Sequence, residues 1–351
     1  MFCTIRRKSK ALTVAAALAV TALAAVACGS GDSGGPGSSG PTAGAEQTEL
    51  RYQGSVGQVT PAELAADLGY LGPITLKWIG NTISGPQDIQ AATTGDTDFG
   101  GAFNGAIIKL VAAGAPIKAV VSYYGVDKDS YIGYFVPANS SISSARDLIG
   151  KKIGMNTLGA HLEAILDAYL KKQGLSAEDV KKVVPTVVPP VNTEQSLRAG
   201  QIDVAALGGI LRDKALERGG LRQLFSDYDL FGTFSAGSLV LRNDFIKKNP
   251  TTAKQFVEGV AKALEWAKTA PRAEVVARFE QIIDKRGRQE DKSAIKFWKS
   301  YGVAGQGGRI QDADFSRWID FLRERGELKK DVSLTDLFTN EFNPFRAATG
   351  S

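Results

Sequence analysis

Two stretches about a hundred residues apart carry the same pattern in the same order. GPQDIQAATTGDTDFGGAFNG runs from Gly85 to Gly105, and VNTEQSLRAGQIDVAALGG from Val191 to Gly209. Each reads as a short helix, a glycine stop, an acid three residues on, an apolar strand and a glycine-bearing loop. The stops are Gly95 and Gly200; the acids are Asp98 and Asp203. The spacing is too long for a solenoid repeat. It predicts two similar α/β lobes, each offering one glycine loop at the carboxyl end of a strand, where open α/β sheets bind ligands.

The rest of the chain up to Asn249 supports this. Thr60-Pro61-Ala62-Glu63 is a capping box with proline at the first helical position. Ile74 to Ile79 alternates as a strand does, Ser84 to Gln87 repeats the capping pattern, and Ile117 to Tyr124 is a further strand. Tyr131 to Val136, Lys152 to Met155, Val183 to Val188, Leu221 to Phe225 and Gly237 to Arg242 complete the strand set. Capped turns are expected at Ser144 to Asp147 and Ser176 to Asp179. The alternation predicts α/β with mainly parallel strands. After Asn249 three apolar stripes predict packing helices: Phe256, Val260 and Leu264; Val275, Val276, Phe279, Ile282 and Ile283; Phe315, Trp318, Ile319 and Leu322.

The beginning of the chain has a different character. Arg6, Arg7, Lys8 and Lys10 precede an uncharged run from Ala11 to Ala27, shorter than the ~20 residues a membrane-spanning helix needs. This predicts an export signal over residues 1–27, with a membrane anchor helix as the alternative. Arg6-Arg7 leaves twin-arginine export open. The run ends AVAC, similar to a bacterial lipobox, which makes Cys28 a lipidation site; ordinary cleavage beside a chance cysteine is the alternative. The chain has two cysteines, and Cys3 falls within the signal, so Cys28 has no partner for a disulfide. Residues 28–47 are Gly- and Ser-rich and suit a disordered tether. Those four basic residues account for most of the formal charge of +5, leaving about +1. No basic, aromatic-laced patch points to nucleic acid. Phosphate-loop, nucleophile-elbow and zinc motifs are absent, and His161 is the one histidine of the 351 residues.

Three segments in this order, GDTDFGGAFNGAIIKLVAAGAPIKAV from Gly95, SARDLIGKKIGMNTLGAH from Ser144 and PPVNTEQSLRAGQIDVAAL from Pro189, resemble the solute-binding lipoproteins of ABC importers for aliphatic sulfonates, taurine and nitrate. The resemblance covers nearly the whole chain after the tether. It implies a two-lobed type 2 periplasmic-binding fold, with 48–125 and 236–351 as lobe 1, 126–235 as lobe 2, and the helical C-terminal region packed on lobe 1. The crossings would fall near Tyr123 to Ser130 and Asp227 to Phe234. It implies a monomer that captures a small anion and delivers it to a membrane permease and its ATPase, with no cofactor, metal or catalysis. Carried over residue by residue, the ligand would meet Gln53, Ser55 and Gly57; Asn81 and Ser84; Gly100, Gly101 and Asn104; Tyr123; Asn156, Thr157 and His161; and Gly208 and Gly209. Two departures bear on the ligand's tail. Tyr70-Leu71-Gly72-Pro73 is shorter than the family's stretch, and Gly208-Gly209-Ile210 stands where relatives often carry tryptophan and proline.

Helix starts leave free N–H groups and partial positive charge, so an anion fits there without a buried lysine or arginine. His161 is expected either to donate to the ligand, more strongly when protonated, or to serve as a surface or capping residue. Tyr123 and Tyr124 fit hinge packing as well as ligand contact. Alternatives are a thiamine-type pyrimidine or another heteroaromatic solute, with Phe103, Tyr123, Tyr124 and Glu163 as its contacts, and a non-transport surface lipoprotein. Catalysis by the clustered cysteines of pyrimidine-synthase relatives is disfavoured, because the folded body has no cysteine.

Overall fold

The structure, a computed structural model, describes residues 45–346. The signal, Cys28 and most of the tether lie outside the described residues. Among the described residues, no helix is long and apolar enough to cross a membrane.

β1 (Glu49–Gly54) leads into α1 (Pro61–Asp67) through the expected capping box: the Thr60 hydroxyl accepts the Glu63 N–H, and Glu63 accepts the Thr60 N–H. β2 (Thr75–Asn81) returns parallel to β1. α2 (Gly85–Thr94) is present, but Ser84 makes no capping bond; the Thr82 hydroxyl instead brackets the Ser84 backbone, accepting its N–H and donating to its carbonyl. β3 (Phe99–Phe103), α3 (Asn104–Ala112) and β4 (Ile117–Val126) follow.

The chain then crosses to a separate sheet. β5 (Ile132–Pro137), β6 (Lys152–Met155), α4 (His161–Lys172), α5 (Ala177–Val180), β7 (Val184–Val187), α6 (Pro190–Arg198), β8 (Val204–Gly208), α7 (Gly209–Glu217) and β9 (Leu221–Ser226) build it in the order β7-β6-β8-β5-β9. Asp147 accepts both N–H groups and both hydroxyls of Ser143 and Ser144, and the Ser176 hydroxyl accepts the Asp179 N–H, so both capped turns form.

α8 (Asp227–Phe231) and β10 (Phe234–Arg242) bring the chain back, and β10 inserts between β3 and β4. The two crossings are tied together. Asp227 accepts the Ile132 N–H at 2.9 Å, while Arg212 donates to the carbonyls of Tyr131 and Asp129 and lies 3.7 Å over the Tyr131 ring.

The strands are mixed rather than mainly parallel. β1–β2, β6–β7 and β6–β8 are parallel, whereas β10 runs antiparallel to β3 and β4, and β5 antiparallel to β8 and β9. The cause is the same in both halves: the strand that completes a crossing slots between two parallel neighbours in the opposite sense. Periodicity marks a strand but not its direction.

α9 (Asn243–Lys248) precedes α10 (Pro250–Thr269) and α11 (Arg272–Lys285), which pack on α1, and α10 also covers β4. α12 (Ala313–Glu324) lies on α3, and α13 (Leu334–Leu337) on α3 and β4. All three predicted stripes face inward; only Val276 among them stays half-buried. Phe256, Val260, Phe279 and Ile283 join Leu50, Leu64 and Phe99 in one core, while Phe315, Trp318 and Leu322 join Ile107 in another.

The internal repeat has a structural meaning. Asp98 accepts the Arg51 N–H at 2.7 Å and returns its own N–H to the Arg51 carbonyl at 2.9 Å. Asp203 does the same to Lys152, at 2.8 and 2.9 Å. Gly95 and Gly200 supply the left-handed turns, at φ 84° and 70°, that aim each acid. Each acid therefore fixes the register between a repeat strand and an earlier strand of its own half.

Candidate functional site

A cavity of about 370 Å³ lies where the two halves face each other. Its walls include the first residues of α2, α4 and α6 and the residue before α7: Gly85 and Pro86, His161 and Leu162, Pro190 and Val191, and Gly208. Helix starts present unpaired N–H groups and partial positive charge, so these four helices favour acceptor groups on whatever occupies the space. Ile83, Val56, Leu207 and Leu211 make much of the remaining wall apolar.

Of the predicted ligand residues, Gln53, Ser55, Ser84, Gly101 and Tyr123 line this cavity from the first half, and Asn156, Thr157, His161 and Gly208 from the other. Asn156 also reaches across, its amide donating to the Ile83 carbonyl at 2.9 Å. Five predicted residues stand elsewhere. Gly57 donates its N–H to Glu290 at 2.6 Å and turns the chain at φ 66°. Asn81 is exposed and accepts from the Trp78 indole. Gly100 lies against α2, where a Cβ would sit 2.5 Å from the Asp88 carbonyl oxygen. Asn104 is fully buried and engaged: its amide donates to the Asp314 and Ser235 carbonyls, and its oxygen accepts from the Ser238 hydroxyl at 2.8 Å. Gly209 lines an adjoining chamber of about 340 Å³, which shares Tyr123, Tyr124 and His161 with the first and is walled by Tyr131, Trp298 and Tyr301.

Sequence reasoning missed Asp88. Gly100 lets α2 lie close on β3, which carries Asp88 to the cavity wall, 8% exposed, while Gly101 makes room for the Tyr123 ring. Its Oδ2 accepts the Gly101 N–H at 2.7 Å; its Oδ1 has no hydrogen-bond partner. Burial pushes the carboxyl up to about 7, against the opposing pull of the Gly101 bond. The signal was Gly100, which calls for a close neighbour as readily as for a ligand.

His161 is 5% exposed and stacks on Phe103, with ring centroids 5.0 Å apart. Burial lowers its pKa to about 3, so the ring is neutral and the stronger, protonated donor is suppressed. Neither nitrogen has a hydrogen-bond partner; Nε2 lies 3.5 Å from Asp227 Oδ2 without forming a bond. Asp227 is itself pushed up to about 7 by burial. Tyr124 touches the same cluster.

The end of β1 and the loop after it, which carry Gln53 and Ser55, are braced by a buried arginine. Arg286 donates to the Gln58 carbonyl and to Glu63, and also pairs with Glu290, which holds Gly57. Ion pairs also tie the two halves together: Lys214–Asp291, Lys296–Glu217 and Lys299–Asp213, and Arg325–Asp167 and Lys171–Glu324.

A family model described as NMT1/THI5 like matches residues 64–274. An Escherichia coli (strain K12) protein named for binding aliphatic sulfonates is 29% identical over 180 residues, 50% of this chain and 52% of that protein; the chain thus spans about half the length of that relative. The riboflavin-binding protein RibY of Chloroflexus aurantiacus is 24% identical over 305 residues, 82% of this chain and 83% of that protein. Among solved structures, the alkanesulfonate-binding protein SsuA of Xanthomonas axonopodis pv. citri, bound to MOPS, superposes with a TM-score of 0.65 at 20% identity, covering 84% of this chain and 99% of that one. Such likenesses establish the two-lobed periplasmic-binding fold.

Proposed function

This chain belongs to the NMT1/THI5-like family, and we infer that it is the solute-binding component of an ABC importer, exported and held at the outer face of the cell membrane by a lipid on Cys28. In this reading lobe 1 comprises 48–125 and, among the described residues, 236–346, and lobe 2 comprises 126–235; the last five residues assigned to lobe 1, 347–351, lie outside the described residues. The lobes close on one small solute and present it to the permease. The observation that carries this reading is the cavity itself, into which helices from both halves direct their N-terminal ends while both halves supply apolar wall. A pocket made half by each lobe couples occupancy to closure, since only the closed form completes the contacts.

The helix starts and the apolar walls together suit a small anion with an organic tail, an aliphatic sulfonate or taurine before nitrate; the sulfonate-binding relative and structural neighbour support this. An alternative reading, a flat heteroaromatic solute such as a pyrimidine or flavin, is favoured by the partnerless Asp88 oxygen and by the riboflavin-binding relative. We read the chain as a binding protein rather than an enzyme, as its sulfonate- and riboflavin-binding relatives support. Equilibrium dialysis of the purified protein against alkanesulfonates, taurine, nitrate, thiamine and riboflavin tests it. One solute bound per chain is expected; no binding to any of them contradicts the reading.

A further inference from the structure

The lining of the main cavity is uneven in its hydrogen-bonding needs. Among the described residues, no lysine or arginine side chain lines it, and Asp88 is its one carboxyl group. Asp88 Oδ1 is buried without a partner, and so, in the same cavity, is Gln53 Oε1. A buried acceptor with no donor loses its hydration and gains nothing in exchange, so native proteins keep few of them. The acceptors of the first wall therefore await a donor that the protein does not supply. The helix starts opposite await acceptors. An occupant made of acceptors alone, such as sulfate, nitrate or a simple alkanesulfonate, satisfies the helix starts and faces Asp88 with a lone pair against a lone pair.

We propose that the captured solute carries an N–H donor, either the amino group of a zwitterion or the ring N–H of a flat heterocycle, and that Asp88 Oδ1 accepts from it. Asp88 is then the residue that selects against acceptor-only anions, and Gln53 supports it. The proposal rests on the solute-binding reading and sharpens its ligand class. Burial disfavours the bare carboxylate and raises its pKa, and an N–H or N⁺–H donor at Oδ1 relieves that cost.

Matched probes test this on the purified protein by calorimetry. Taurine and ethanesulfonate share a sulfonate and differ in the amino group. Riboflavin and its N3-methyl derivative share a ring and differ in one N–H. Wild type is expected to favour the N–H member of one pair by roughly tenfold or more, the ratio that one charge-assisted hydrogen bond gives. Preference within the sulfonate pair identifies an amine; preference within the flavin pair identifies a ring N–H. Asp88→Asn keeps an acceptor for Gly101 and replaces the free oxygen with an amide donor, so the preference should collapse to about one. The matched pairs read out on wild type alone, so the test survives a variant that folds poorly. Equal affinity within both pairs, or a preference that Asp88→Asn leaves intact, overturns the proposal. Binding of ethanesulfonate or nitrate without either N–H probe overturns it and leaves the solute-binding reading standing; no binding to any probe removes both.

Discussion

After the shared helix, glycine and strand, the two copies of the internal repeat part company. In the N-terminal copy, Asp98 is fully buried and adds a paired contact to the Arg51 guanidinium, and the residue after the strand, Asn104, is locked into the core by three hydrogen bonds. In the C-terminal copy, Asp203 is half-exposed and holds only backbone, and the residue after the strand, Gly209, has no neighbour within 4 Å of where a Cβ would stand. The same sequence grammar thus makes a rigid wall in one half and an open rim in the other. The difference lies in what packs outside: α12 covers the end of the N-terminal copy, whereas the end of the C-terminal copy opens into the adjoining chamber.

Substitutions along the repeat can break this comparison. Asp98→Ala should cost about 2–4 kcal/mol in denaturant unfolding, because it leaves a half-buried guanidinium and a strand N–H without their acceptor. Asp203→Ala should cost only about 1 kcal/mol. The pH dependence separates them further. Burial pushes the Asp98 carboxyl up, but the Arg51 bonds outweigh it and leave the pKa below its ordinary value of 3.8. A depressed carboxyl contributes stability that is complete above the unfolded pKa and lost as pH falls through the folded one. Wild type should therefore lose stability below about pH 4 more steeply than Asp98→Ala does. Equal costs for the two substitutions would mean that the walls are alike.

Asn104→Ala should cost about 2–3 kcal/mol, since it leaves the Ser238 hydroxyl without its acceptor and removes the amide that two buried carbonyls share. Gly209→Ala, at φ 49° in open space, should cost about 1 kcal/mol, the penalty of a left-handed non-glycine residue. His161→Phe gives the smallest effect. It keeps the stacking on Phe103 and removes both nitrogens, so stability should hold while solute affinity falls roughly three- to tenfold, one neutral hydrogen bond's worth. Because the wild-type imidazole is neutral above about pH 3, its contribution should not vary between pH 5 and 8. An affinity that rises on acidification through His161 would contradict its burial.

Much of this fold was legible in the chain. Capping signals placed the start of α1, stripes at helical spacing identified the faces of α10, α11 and α12, and the repeat located two strands that end near the cavity. These are local patterns, and local patterns survive into the fold. Strand direction was not legible, because β5 and β10 acquire theirs from the sheets they enter. Asn104 was misplaced for a related reason: it follows the glycine loop as a ligand residue would, but α12, more than two hundred residues later, supplies the Asp314 carbonyl that claims it. Asp88 escaped notice because an acid in the first turns of a helix resembles an ordinary answer to the helix dipole; only the close approach allowed by Gly100 buries it.

Hydrogen exchange measured with and without a bound solute tests the central claim most directly. The account predicts slowed exchange in both walls together, around 84–88 in the first half and around 156–163 and 208–211 in the other, at one solute per chain. Protection confined to one wall, or exchange unchanged at saturating solute, would contradict capture between the two halves.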